Sequence, residues 1–156
     1  PNVWGRLFKT GILWKVPDLF MEGIDYAEDL CAMMRLIGVA TRSWTDETVY
    51  LYRTDNNASY TKNISEKSLL SYAKAQAKIL SFYLMRGHLP LAIEIGALST
   101  LRECRRNGMD MQKMDDILQY VPEHFRAKLL YAMFHSTRIP LTISDYTYRV
   151  FRLAAL

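Results

Sequence analysis

The sequence predicts a mainly α-helical, single-domain protein, a bundle of about five to seven helices with one small β-hairpin. Two observations favour this fold class: apolar residues recur at helical spacing over most of the chain, and Gly and Pro residues separate these segments. A third observation points to the hairpin, because side chains near residues 39–54 follow the alternating pattern of β-strands instead of helical spacing. With 156 residues, 50% of them hydrophobic and 23% charged, the chain is long and apolar enough to bury a core.

The predicted domain covers residues 1–156 and begins with two regions. Residues 1–23 are predicted to form an N-terminal arm or a short helix, because glycines interrupt the apolar pattern there. Residues 24–54 are predicted to hold a helix that ends at Gly38, followed by the hairpin.

The predicted hairpin, residues 39–54, has two runs rich in Val, Thr, Trp and Tyr, joined by the turn sequence TDET. If Trp44 pairs with Val49, alternation places Tyr50 and Tyr52 together on one face. Exposed aromatic residues are frequent interface anchors. This tyrosine pair is therefore a candidate protein-binding surface, the alternative being that a helix of the same chain covers it.

The helix, the runs GVATRSW and VYLYRT and the turn TDET between them resemble the end of a winged-helix or DEP-type domain. Such domains need two further helices upstream, whereas only residues 1–23 precede this helix. The string VPEHFR, residues 121–126, is similar to a segment of rhabdovirus matrix proteins, but so short a string carries neither fold nor function. We assign no family from these resemblances.

Residues 65–156 are predicted to form the helical bundle. Each helix should begin at a capping residue or a proline, and two should end at a glycine. The predicted starts are Ser65, Pro90, Pro122 and Ser144, and the predicted ends are Gly87 and Gly108. A shorter helix is predicted over MDMQKMDDILQY, between the second and third of these starts.

The chain lacks the motifs of common catalytic sites: a Gly-rich phosphate loop, a nucleophile elbow, a zinc-binding HExxH and cysteine pairs at metal spacing. We therefore expect no catalysis and no cofactor or metal, and an enzyme of unrecognised type is the third hypothesis. Cys104 stands among Arg102, Arg105 and Arg106, here called the arginine cluster, which would favour a reactive thiolate. A half-buried structural cysteine is the alternative.

A basic stripe is predicted on the long helix of the second half. Lys67, Lys74 and Lys78 fall within about 40° of each other on a wheel of 100° per residue. With the arginine cluster, the stripe could bind the phosphates of nucleic acid or of an acidic membrane surface. The alternative is an ordinary solvated face, with the arginines complementing the dipole at a helix C-terminus.

Three methionines form a further candidate surface for docking a protein, because flexible thioether side chains adapt to a partner. They are Met109, Met111 and Met114, and core filling is the alternative. We therefore predict a non-enzymatic structural or interaction protein that binds a protein partner or itself as a homo-oligomer, and nucleic-acid or acidic-membrane binding is the runner-up. A small, basic, aromatic-rich chain without catalytic motifs is typical of viral matrix and nucleocapsid-associated proteins.

The expected location is intracellular. The two cysteines are far apart, no apolar run is long enough to span a bilayer, and no charged-then-apolar leader opens the chain. These features favour a soluble protein in a reducing compartment such as the cytoplasm. Glycosylation triplets at Asn57 and Asn63 point weakly to secretion instead.

Overall fold

The computed structural model describes residues 5–41 and 65–134. Within these ranges the chain forms six α-helices and no β-strand. The helices are α1 (Thr10–Leu13), α2 (Glu28–Ile37), α3 (Glu66–Met85), α4 (Leu91–Arg106), α5 (Met111–Leu118) and α6 (Glu123–Phe134). The prediction of a mainly helical chain is confirmed.

Most of the predicted hairpin lies outside the described residues, including Tyr50 and Tyr52, and so does the predicted helix after Ser144. Residues 39–41, the described part of the hairpin, are not in a strand. The hairpin and its tyrosine surface therefore stay predictions.

The chain divides into two compact units, residues 1–75 and residues 76–156, with the boundary inside α3. The first unit holds α1, α2 and the start of α3, and the second holds the rest of α3 and the helices after it. Whether the chain is one domain stays a prediction.

The capping signals predicted at Ser65, Gly87 and Gly108 act where the sequence places them. The Ser65 hydroxyl accepts a hydrogen bond from the Ser68 N–H at 3.1 Å and so caps the start of α3. Gly87 and Gly108 follow α3 and α4 with φ values of 67° and 75°, a region that strains any side chain. After α4, the Met109 N–H donates to the Cys104 carbonyl at 3.1 Å, the long bond of a Schellman motif.

The first unit has a small core of Val16, Met33 and Leu36. Half-buried apolar residues from α1, its flanks and the end of α2 pack against it: Phe8, Ile12, Leu13, Leu19, Ile37 and Val39. This packing joins the N-terminal segment to α2.

Two polar contacts within the first unit join segments that are far apart in sequence. Arg35 of α2, which is only 6% exposed, donates to the Pro17 carbonyl at 2.6 Å and to the Asp18 carbonyl at 3.0 Å. The Ser71 hydroxyl accepts from the Tyr26 N–H at 2.9 Å and donates to the Tyr26 carbonyl at 3.0 Å. Each side chain therefore satisfies backbone groups that lie outside any helix.

Among the described residues, four helices contribute to the core of the second unit: α3, α4, α5 and α6. Its fully buried apolar side chains include Ile79, Leu80, Cys104, Met114, Ile117, Val121 and Leu129. On its buried side α4 contacts α6, and Gly96 of α4 lies against the Gln76 side chain of α3. This packing determines which face of α4 is turned outward.

Candidate protein-binding surface

All three lysines of the predicted basic stripe lie on α3. Lys67 forms an ion pair with Asp25, with 2.9 Å between Lys67 Nζ and Asp25 Oδ2. Both side chains are well exposed, so the pair contributes little to stability. It nevertheless shows that the Asp25 carboxylate, three residues before α2, faces the stripe.

Lys78 and Lys74 differ in their surroundings. Lys78 is half-buried, and its Nζ lies 4.0 Å from the centre of the Tyr120 ring, a cation–π contact within the second unit. Lys74 is also half-buried and makes no ion pair with a described residue. Two of the three lysines thus have a partner in their own chain, and phosphate binding by the stripe stays a prediction.

The arginine cluster lies in the last turn and a half of α4. Arg106 Nη1 is 3.4 Å from Glu103 Oε2, Arg102 is half-buried, and Arg105 is exposed. The Glu103 carboxylate also accepts a bond from the Asn107 side-chain amide at 3.0 Å. Positive charge at the C-terminal end of a helix complements the helix dipole, which is the alternative to phosphate binding given above for these arginines.

Cys104 is completely buried within this segment. Removal from water raises the pKa of its thiol from 9.0 to about 11, and the Glu103 carboxylate adds to the increase. The thiol therefore stays protonated at neutral pH, and the structural alternative describes Cys104 better than the reactive thiolate does.

The raised pKa predicts a pH dependence of stability. Between pH 9 and pH 11 the unfolded thiol loses its proton while the folded thiol keeps it, so the free energy of unfolding falls as pH rises. The expected loss is about 2–3 kcal/mol. Urea titrations of the natural chain and of Cys104→Ala from pH 8 to pH 11 measure it, since other titrating groups are common to both. Parallel stability curves would contradict the assignment.

The methionine surface is not assembled as predicted. Met109 and Met114 are 8% and 1% exposed and belong to the core, whereas Met111 is 52% exposed at the start of α5. Asp110 caps this helix by accepting the Lys113 N–H at 2.8 Å, and Met111, the first helical residue, is exposed. Of the three methionines, only Met111 is available to a partner.

The outward side of α4 offers a larger surface, here called the α4 outer face. Its residues share an arc of about 120° on a helical wheel. They are Leu91, Ala92, Ile95, Ser99, Arg102, Glu103 and Arg106, and each is exposed or half-buried. Leu91 is 67% exposed and Ile95 is 44% exposed.

The α4 outer face changes character along the helix. Its first half is apolar, with Leu91 and Ile95 one turn apart and therefore in contact distance of each other. Its second half is charged and begins with Arg102, about 16 Å farther along the axis from Leu91. A partner that follows this face would meet an apolar anchor region and then a mainly basic region.

Sequence reasoning missed this surface because α4 is apolar on both sides over LAIEIGAL. The structure places Glu94 in the interior at 6% exposure and its neighbour Ile95 on the surface. A single sequence expects the opposite order, since carboxylates are seldom buried. The sequence shows that Leu91 and Ile95 are one turn apart, but it gives no signal that they are exposed.

The described residues contain no helix that is both long and apolar enough to cross a bilayer. Nor do they bring together three His, Cys, Asp or Glu side chains that could hold a metal ion. Neither a family model, nor a curated protein, nor a solved structure matches the chain.

Proposed function

We propose that the protein is a non-enzymatic interaction protein that binds a protein partner through the α4 outer face. The observation that carries this proposal is the exposure of Leu91 and Ile95 beside the buried Glu94. The fold turns two large apolar side chains toward water on a well-formed helix of 16 residues. Two exposed apolar side chains that adjoin each other on one helix face form a candidate interaction site.

The free energy gained by covering Leu91 and Ile95 suits an anchor for a partner. Full burial of a Leu or Ile side chain contributes about 1.5–3 kcal/mol. Because Leu91 is 67% exposed and Ile95 is 44% exposed, covering both would supply about 2–3 kcal/mol, a part of the roughly 8 kcal/mol of a micromolar affinity. Protein interfaces commonly have an apolar centre and a polar rim. Leu91, Ala92 and Ile95 fit the centre, and Arg102 and Arg106 fit the rim.

The partner that fits best is an amphipathic helix with an apolar half and an acidic half. Its apolar half would cover Leu91 and Ile95, while its carboxylates would reach Arg102 and Arg106. A second copy of the chain fits less well. In an antiparallel pair of α4 helices, the arginines of one copy would face the apolar half of the other.

Phosphate binding by the basic stripe is the alternative proposal. Lys67 and Lys78 each contact a partner within the chain, as Arg106 does with Glu103. No exposed apolar pair like that of the α4 outer face accompanies the stripe among the described residues of α3. A viral matrix or nucleocapsid role would be one setting for a protein-binding surface of this type. This viral role is part of the proposal, and only the composition of the chain supports it.

A designed peptide tests the proposal on the full chain. The probe is a labelled 16-residue helix with two Leu residues one turn apart in its first half and Glu residues in its second, and its twin carries Lys in place of Glu. Fluorescence anisotropy should show binding of the Glu peptide and much weaker binding of the Lys peptide. Leu91→Ser with Ile95→Ser should weaken binding at least tenfold, since covering the two side chains contributes about 2–3 kcal/mol together.

Met111→Ser is the matched control, because Met111 is as exposed as Ile95 but lies outside the α4 outer face. It should leave the affinity unchanged. Equal binding of the two peptides, or unchanged binding by the double variant, would overturn the proposal. Sedimentation of the pure chain measures self-association, and a dimer lost in the double variant would make a second copy the occupant instead.

A further inference from the structure

The N-terminal segment, residues 5–17, has both packed and exposed side chains within the first unit. Phe8, Ile12 and Leu13 pack on the core. Five of its charged and large apolar residues are exposed, and they are here called the arm surface: Arg6, Leu7, Lys9, Trp14 and Lys15. The segment therefore packs on the core and still leaves Leu7 and Trp14 in water.

The exposure of the arm surface is unusual for its residue types. Leu7 is 103% exposed and Trp14 is 83% exposed, whereas Trp is on average a highly buried residue. Backbone hydrogen bonds fix the chain around Trp14. The Lys15 N–H donates to the Ile12 carbonyl at 3.1 Å, and the Val16 N–H donates to the Leu13 carbonyl at 3.3 Å. These turn bonds fix the backbone where Leu13 and Val16 pack in the core and Trp14 is exposed.

The charge of the segment has one sign. Arg6, Lys9 and Lys15 are its only charged residues, and the first acidic residue, Asp18, follows Pro17. Arg6 is next to Leu7, and Lys15 is next to Trp14. Each exposed apolar side chain thus has a cation as a direct neighbour in the chain.

We propose that the arm surface binds an anionic lipid membrane, with Trp14 and Leu7 inserted at the level of the headgroups and the three cations on lipid phosphates. Trp belongs at such interfaces because its ring is apolar and its N–H is polar, and Lys and Arg reach from them toward the phosphates. A protein interface suits this surface less, because charged residues are depleted at the centre of protein interfaces. The inference is independent of the α4 outer face, which belongs to the second unit.

Vesicle sedimentation with the full chain tests the membrane proposal. Vesicles of phosphatidylcholine with one-quarter phosphatidylserine should bind the protein, and vesicles of phosphatidylcholine alone should bind it at least tenfold more weakly. Each cation near an anionic surface contributes a factor of about five, so Lys9→Gln with Lys15→Gln should weaken binding roughly 25-fold. Leu7→Ser with Trp14→Ser should abolish it. Both apolar side chains are exposed, so these variants should fold, as circular dichroism can verify.

Leu91→Ser with Ile95→Ser is the matched control, because it removes two exposed apolar residues from the second unit and should leave vesicle binding unchanged. A second readout uses a chain in which Trp4→Phe and Trp44→Phe leave Trp14 as the single tryptophan. Its emission should shift to shorter wavelength on the anionic vesicles only.

Three results would overturn the membrane proposal. The first is no binding to anionic vesicles, and the second is binding that persists in the Leu7→Ser, Trp14→Ser variant. The third is binding of single-stranded nucleic acid, but not of vesicles, that the same variant loses. That last result would assign the arm surface to base stacking and phosphate contact instead.

Discussion

Replacement of Arg35 by Met is expected to lower the free energy of unfolding by about 2–4 kcal/mol. Arg35 is 6% exposed, and its guanidinium donates to the carbonyls of Pro17 and Asp18. Met keeps the apolar stem but leaves both carbonyls without this donor. Asp18 also has a φ of 49°, a strained value for a residue with a side chain, so the turn depends on such contacts.

Urea titration followed by circular dichroism measures this loss. Arg35→Lys should be intermediate, because it keeps the charge but lacks the planar fork that reaches two carbonyls. Arg106→Met is the matched control, since Arg106 is exposed and should change stability by less than about 0.5 kcal/mol. A similarly small change for Arg35→Met would contradict the role assigned to Arg35.

Replacement of Ile117 by Ala is expected to lower the free energy of unfolding by about 2–5 kcal/mol. Ile117 of α5 has no exposed surface and lies in the core of the second unit. Truncation removes the transfer free energy of its methyl groups and leaves a cavity that the surrounding side chains fill only in part.

The same urea titration measures the core variant. Ile117→Val, which removes one methyl group, should cost about 0.5–1.5 kcal/mol. Met111→Ala, at an exposed position of the same helix, should change stability by less than about 0.5 kcal/mol. If Ile117→Ala and Met111→Ala cost the same, the proposed core around α5 would be wrong.

The helix ends could be predicted because their causes are local. Ser65 caps α3 with its own hydroxyl, and Gly87 and Gly108 adopt positive φ directly after their helices. Pro122 immediately precedes Glu123, the first residue of α6. Each of these signals acts within a few residues, so one sequence suffices to locate it.

The functional surfaces could not be predicted as well, because their orientation depends on contacts between distant residues. Lys78 meets Tyr120, which is 42 positions later in the chain, and no helical wheel reveals that contact. A helical wheel of α4 likewise cannot show that Glu94 is buried and Ile95 is exposed. Packing of α4 against α6 and Gln76 decides it instead.

The central claim is that the α4 outer face binds a partner through an apolar half and a basic half. A charge exchange tests it most directly: Arg102→Glu with Arg106→Glu, measured by anisotropy against the Glu peptide and its Lys twin. We expect the natural chain to prefer the Glu peptide and the variant to prefer the Lys peptide, because the apolar anchors are unchanged and only the charges are reversed. An unchanged preference for the Glu peptide in the variant would contradict the proposed binding surface.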